Sequence, residues 1–292
     1  MLLYKYFPEQ RISFFEDWLV RFTPVNDFND LLEGRGQFEW FVPPEEAVEG
    51  SQASFDNLIA IALAAVFANQ PGHFISGLSD EQTKNLLCST EEANLLREDL
   101  RNYMRQTVHE ITPVAKESLY RKFCNWLGIF CLSETAVSHT MWGYYTNHRG
   151  FVIAFDSGHQ FFHNDRDADG FLGKLHKVSY VADLPRHQSI DSMQIEDIFL
   201  IKQDEWRHEA EWRILDALQY ADTVVQGELP IHLFKVPVES VREVIFGFRM
   251  DAKLKQQVLS QIQSQPQMRH IAAKQVKLDS ETAQLKIIPA TN

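Results

Sequence analysis

The chain has 292 residues, 45% hydrophobic and 23% charged, an ordinary globular balance that excludes wholesale disorder. Its formal net charge of -12 repels polyanions, so duplex nucleic acid is not an expected partner. Three cysteines, Cys88, Cys124 and Cys131, are odd in number and lack C-x-x-C spacing, which argues against a disulfide framework or a cysteine zinc site. Free thiols in a reducing, cytoplasmic setting are expected.

In chain order, residues 1–9 show neither the apolar run nor the cleavage site of a signal peptide. Residues 2–6 read as a strand, 12–19 as a helix and 20–23 as extended chain ending at Pro24, with a turn-rich stretch at 26–30. From Ser51 to Trp126 the pattern is helical. The apolar run 58–67, broken by Asn69 and Pro71, falls short of the ~20 residues that span a bilayer, so it predicts a core helix and no membrane partner. Residues 81–108 follow, with a restart at Ser89-Thr90-Glu91-Glu92; Pro113 interrupts the pattern, and 117–126 make a further short helix. The second half is β-rich, with strands predicted at 128–133, 151–155, 212–215 and 241–246. A helix at 252–262 and a hairpin of 270–277 with 285–288 close the chain. Strands and helices segregated in this way predict an α+β fold, with a mixed, mainly antiparallel sheet and a helical insertion at about 51–126 in a single domain.

Two segments can carry chemistry. After the strand 128–133, Ser138 or Thr140 can cap a short helix on which Trp142 and Tyr145 share a face at i,i+3 spacing. His148 and Arg149 fall at its C-terminal end, with Gly150 as the left-handed cap. Two aromatics beside a histidine suit stacking on a planar ligand; the alternative is core packing. In the second segment, Glu209, Glu211 and Arg213 share one face if the chain is extended from 209 onward. Such a Glu can stabilise a developing cation, and Arg213 can hold a phosphate; the alternative is a solvated face of ion pairs.

Other patterns are weaker. His159, His163 and Asp165 match no compact zinc spacing, and Asp165-Arg166-Asp167-Ala168-Asp169-Gly170 opens like a calcium loop but has His176 where the closing Glu belongs. No metal site is expected. Gly34-Arg35-Gly36 lacks the setting of a nucleotide-binding glycine motif.

Several stretches, taken in order, resemble a bacterial family known as domain of unknown function 2971. They are Leu3-Tyr4-Lys5-Tyr6, Arg21-Phe22-Thr23-Pro24 with Phe28-Asn29-Asp30, and Cys131-Leu132-Ser133-Glu134. Met141 through Phe151, Glu209-Ala210-Glu211-Trp212-Arg213 and Val244-Ile245-Phe246-Gly247 complete the series. Leu31 departs from it, since the family has Pro after its Phe-Asn-Asp triplet. This layout is in turn similar to the ADP-ribosyltransferase superfamily, an analogy at the level of fold. It implies a ligand-holding polar residue on the first strand (Lys5 or Tyr6) and a hydrophobic-Ser strand (Ser133). It also implies a helix residue on the nicotinamide pocket (Tyr145) and a catalytic Glu on a late strand (Glu211).

The first hypothesis is therefore an NAD-using ADP-ribosyltransferase-like protein of the toxin or phage-defence kind, acting on an unidentified macromolecular acceptor. Trp142 and Tyr145 would wall the nicotinamide, while Lys5 and Arg213 neutralise the pyrophosphate. The alternatives are a non-catalytic binding or regulatory protein with a structural Glu/Arg network, and a nuclease using Glu209, Glu211 and His148.

Overall fold

The run 127–133 is buried along nearly its whole length, as a strand covered on both faces must be. A computed structural model of the chain describes residues 1–68, 79–168 and 170–290. Asn69 and Pro71, expected to break the apolar run, and Asp169 of the calcium-like stretch lie outside the described residues.

The chain opens with β1 (Leu2–Phe7), α1 (Phe14–Asp17), β2 (Leu19–Arg21) and β3 (Thr23–Pro24). Next come β4 (Phe38–Trp40) and the helices α2 (Pro44–Gly50), α3 (Gln52–Ala68), α4 (Asp80–Cys88) and α5 (Glu91–Trp126). Then β5 (Leu127–Ser133), α6 (His139–Thr146) and β6 (Phe151–Asp156) lead to β7 (Leu175–Lys177), β8 (Ser179–Val181) and β9 (His187–Ser189). After α7 (Ile195–Phe199) come β10 (Ile201–Gln203), β11 (Glu211–Ala217), β12 (Thr223–Val225), β13 (Ile231–Lys235) and β14 (Val241–Phe246). The last elements are α8 (Ala252–Ser264), β15 (Ala272–Leu278) and β16 (Leu285–Pro289). The fold is α+β, built on a mixed, mainly antiparallel sheet.

Contacts group the chain into two units. The first comprises Met1–Gly36, Arg121–Leu184 and Ile195–Asn292; the second comprises Gln37–Tyr120 and Pro185–Gln194. The first unit holds a nine-stranded sheet in the order β16-β15-β14-β6-β1-β5-β11-β7, with β3 also paired to β5. Only β14 and β15 run parallel in it. One face packs Leu3, Phe7, Phe130, Leu132 and Phe151 against Val258, Leu259 and Ile262 of α8. The other packs Tyr6, Val152 and Ile245 against Met141 and Trp142 of α6. In the second unit, Val48, Phe55, Ile59, Leu63, Leu87 and Ala93 form a helical core, and β4 pairs β9 in parallel.

The restart at 89–92 is observed: α4 ends at Cys88, and Thr90 Oγ1 accepts from Ala93 N at 3.1 Å to open α5. The break at Pro113 is not. α5 runs through it as one helix of 36 residues, so the segment 117–126 is not a separate helix. A proline removes one i→i−4 bond, a loss of about 3 kcal/mol, which the uninterrupted turns on either side outweigh. Cys88, Cys124 and Cys131 are all free. Among the described residues no helix is long and apolar enough to cross a membrane.

Candidate functional site

The parting between β1 and β5 creates the site. β1 pairs β6 from Leu2 to Phe7, yet it meets β5 only at Tyr4↔Ser133. β5 in turn pairs β11 along its length, with Ser133 opposite Glu211. Tyr4, Ser133 and Glu211 thus stand abreast on three neighbouring strands, and directly opposed residues share a face. A cavity of about 650 Å³ opens there, within the range of small-molecule sites. Its wall includes Tyr4, Lys5, Tyr6, Ser133, Tyr145, Trp206, Glu209 and Glu211.

Behind this wall lies a buried ion network in which three carboxylates meet two cations. Arg213 grips Glu211 bidentately, Nε to Oε1 and Nη2 to Oε2, both at 2.9 Å. Its Nη2 also reaches Glu33 Oε1 at 2.6 Å, and Nη1 donates to the Phe199 carbonyl at 2.6 Å. Lys202 Nζ lies 2.9 Å from Glu33 Oε1, 2.8 Å from Glu209 Oε2 and 3.4 Å from Glu211 Oε2. None of the five residues exceeds 6% exposure, so the alternative of a solvated ion-pair face is overturned. Burial alone would raise the Glu211 carboxyl, but the charges of Arg213 and Lys202 outweigh it and hold Glu211 well below the usual carboxylate range. Burial likewise opposes charge on Lys202, yet Glu211 and Glu33 keep it firmly protonated.

Local backbone explains how these groups converge. The chain is not extended from Glu209: residues 204–209 form a 3₁₀ turn, and Ala210 takes a left-handed conformation (φ 44°) before β11 begins. That turn, rather than strand alternation, brings Glu209 beside Glu211. Ser133 Oγ fixes it by donating to the Glu209 carbonyl at 2.6 Å. Lys202 comes from the parallel pair β8–β10, where it lies opposite Tyr180. Tyr180 Oη accepts from Glu211 N at 2.9 Å, and burial foremost pushes its phenol up to about 12. Glu33 is aimed by the turn ending in Gly34 (φ 71°), where a Cβ would sit 2.1 Å from Val25 Cγ1. This gives the Gly34-Arg35-Gly36 stretch a structural purpose.

α6 presents Tyr145, whose hydroxyl donates to Glu209 Oε1. Burial first, and Glu209 next, push its phenol well above the usual value. The helix is capped by Ser138, whose Oγ accepts from Met141 N at 3.3 Å. Ser138→Ala should reduce stability by about 1 kcal/mol, seen as a lower urea midpoint; an unchanged midpoint would show that the cap contributes nothing. The helix ends not on Gly150 but on Asn147 and His148, both left-handed (φ 50° and 59°). Gly150 is needed for another reason: a Cβ there would lie 1.9 Å from the Phe7 carbonyl oxygen.

Of the residues singled out from sequence, Lys5, Tyr6, Ser133, Tyr145, Glu209 and Glu211 share the cavity wall. Three do not. Trp142 is fully buried, donates Nε1 to the Ala136 carbonyl at 2.8 Å and meets Tyr6 edge-on at 5.4 Å, so it is core. Arg213 is 1% exposed, with its donors taken up by Glu211, Glu33 and Phe199, and it cannot serve a pyrophosphate. His148 is carried out of the wall by the left-handed helix end. Burial and the charge of Arg249 lower its pKa, and the Glu209–Glu211–His148 grouping of a nuclease is not assembled. Trp206 is the indole that does line the cavity, with Lys202 Nζ 4.6 Å from its centroid. Cys131 also lines it; burial first, then the neighbouring Glu211, pushes its thiol up and makes it a poor nucleophile.

The weaker sequence patterns are absorbed by loop structure. His163 Nε2 meets the Ser157 carbonyl at 2.8 Å, His159 Nδ1 accepts from Phe161 N at 3.1 Å, and Asp165 pairs with Lys174. Asp167 Oδ1 accepts from Phe171 N and Leu172 N, at 2.8 and 3.1 Å. Among the described residues no group of three or more His, Cys, Asp or Glu side chains is arranged to hold a metal ion. No protein-family model, curated protein or solved structure matches this chain.

Proposed function

We propose that the cavity binds NAD and that the protein is an ADP-ribosyltransferase-like enzyme with Glu211 as its catalytic carboxylate. The observation that carries this is the row Tyr4–Ser133–Glu211 at the cavity wall, with Glu211 oriented from behind by Arg213. Within the buried network three carboxylates face two cations, and the low dielectric there strengthens the field of Glu211. Such a preorganised charge stabilises a cation that develops only during reaction. Nicotinamide would leave with the electron pair of its glycosidic bond, and the ribosyl oxocarbenium would form beside Glu211 before a nucleophile closes on C1′. A carboxylate has about four lone-pair sites; at Glu211, Arg213 and Lys202 take three and the Cys131 thiol bonds the carboxylate as well, so a ribose hydroxyl would take the place of the thiol. Tyr145 and Trp206 would wall the ring, with Trp206 replacing the buried Trp142. Lys5, which makes no ion pair among the described residues, would meet the pyrophosphate in place of Arg213. In a toxin or phage-defence setting this transfer, or the NAD consumption it entails, would be the effector step.

Wild-type protein should consume NAD, and Glu211→Gln should lower turnover by about 10²–10³ while NAD binding changes only a few-fold. Wild type that neither binds nor consumes NAD, or a Gln variant that keeps full turnover, would sink the proposal. The bidentate Glu211–Arg213 grip also favours a second reading, a non-catalytic binding protein whose network clamps β11. Nucleotide binding without turnover would select it.

A further inference from the structure

β12, β13 and β2 form a separate three-stranded antiparallel ribbon. Its register sets Val225 opposite Ile231, Thr223 opposite Leu233, and Leu233 opposite Arg21. Residues in such a grid share one face, and Val225, Ile231, Leu233 and Arg21 all line the cavity. Val224 and His232 are one residue out of phase and take the other face. The ribbon is anchored at its root, where Leu233 is 6% exposed and Phe234 packs on Phe22 at 4.1 Å between centroids. Toward its tip the cavity-directed side chains open to solvent: Ile231 is 37% exposed and Val225 48%. Neither serves the ion network or the core. Branched apolar groups that point into a cavity gain stability when a ligand surface covers them.

Beside this apolar face stands a cation. Arg21 Nη2 pairs with Asp27, and its buried Nε has no hydrogen-bond partner among the described residues. A guanidinium is always charged and presents a planar set of donors suited to an anion. An apolar face next to such a group is a recognition element with two parts.

We propose that the β12–β13–β2 ribbon is a ligand-recognition wall for an aromatic anion, with the ring on Val225, Ile231 and Leu233 and the anionic group at Arg21. This does not rest on the NAD proposal, because any flat ring bearing a negative charge meets the chemistry. The probe is 8-anilinonaphthalene-1-sulfonate, titrated by fluorescence into the full chain. Saturable binding is expected, and the double variant Val225→Ser/Ile231→Ser should weaken it by roughly tenfold or more, the scale of losing apolar contacts in a pocket. Arg21→Gln should weaken it as well. Val224→Ser, on the opposite face of the same strand, should leave it unchanged. Absence of saturable binding, an unaffected double variant, an unaffected Arg21→Gln, or an equal loss with Val224→Ser each overturns the proposal. The mutated positions on the hairpin are partly exposed, so melting curves should confirm that these variants fold. Competition with NAD separates the two proposals. Failure to displace a ribbon-dependent probe would sink the NAD proposal alone, whereas displacement of a probe indifferent to the ribbon variants would sink this one alone.

Discussion

Arg213→Met should lower the unfolding free energy by about 3–5 kcal/mol, the penalty for breaking a buried ion pair and leaving its partners uncompensated. Arg213 is 1% exposed and faces both Glu33 and Glu211, so its removal strands two carboxylates with Lys202 alone. The same variant should change the response to acid. In the wild type Glu211 is held below its ordinary value. The stability it contributes is therefore complete above the unfolded value of about 4.3 and is lost as the pH falls below that toward the folded value. Without Arg213 the carboxyl moves up, and acid unfolding should begin at a higher pH. Urea denaturation at pH 7 and at pH 4 measures both effects. A variant within about 0.5 kcal/mol of wild type would mean that the network does not hold the fold. Adding Glu211→Gln to Arg213→Met should recover part of the loss, since a buried charge without a partner is the larger penalty.

The two tryptophans should behave in opposite ways. Trp142→Ala removes a fully buried indole and strands the Ala136 carbonyl, and should destabilise by about 3–5 kcal/mol. Trp206→Ala should change stability far less, because the side chain is half-buried against Lys202 and His208, but it should weaken ligand binding at the cavity. Melting curves paired with ligand titrations give both readouts. Equal destabilisation by the two substitutions would refute this division between core and wall.

Much of the architecture was legible because strands of β-branched and aromatic residues declare themselves locally. Residues 128–133, 151–155 and 241–246 all fall in the central sheet, and the closing hairpin pairs as its pattern implies. Three residues of the five-membered network were legible too, since Glu209, Glu211 and Arg213 fall in one short stretch. The remaining two were not. Glu33 lies in a turn and Lys202 in a three-residue strand, and neither carries a local pattern pointing to residues 180 or nine positions away. Only the tertiary fold joins them. Trp142 and Tyr145 look equivalent at i,i+3, yet on a helix of 3.6 residues per turn they diverge by about 60°. That offset buries one side chain in the core and leaves the other at the cavity. Pro113 misled because the penalty for an internal proline is finite, and a long helix can absorb it.

β1, at the middle of the nine-stranded sheet, is synthesised well before either of its neighbours. β1 pairs only with β5 and β6, and Tyr4 must wait for Ser133, about 130 residues later, before its neighbour exists. At a translation rate of roughly 5–20 residues per second, an apolar segment containing Leu3, Tyr6 and Phe7 stays without partners for roughly ten seconds on the ribosome. Glu211, which completes the row, emerges later still. The catalytic candidates therefore cannot assemble on a nascent or prematurely terminated chain, and β1 is a segment that a holding chaperone would have reason to cover until β5 and β6 arrive.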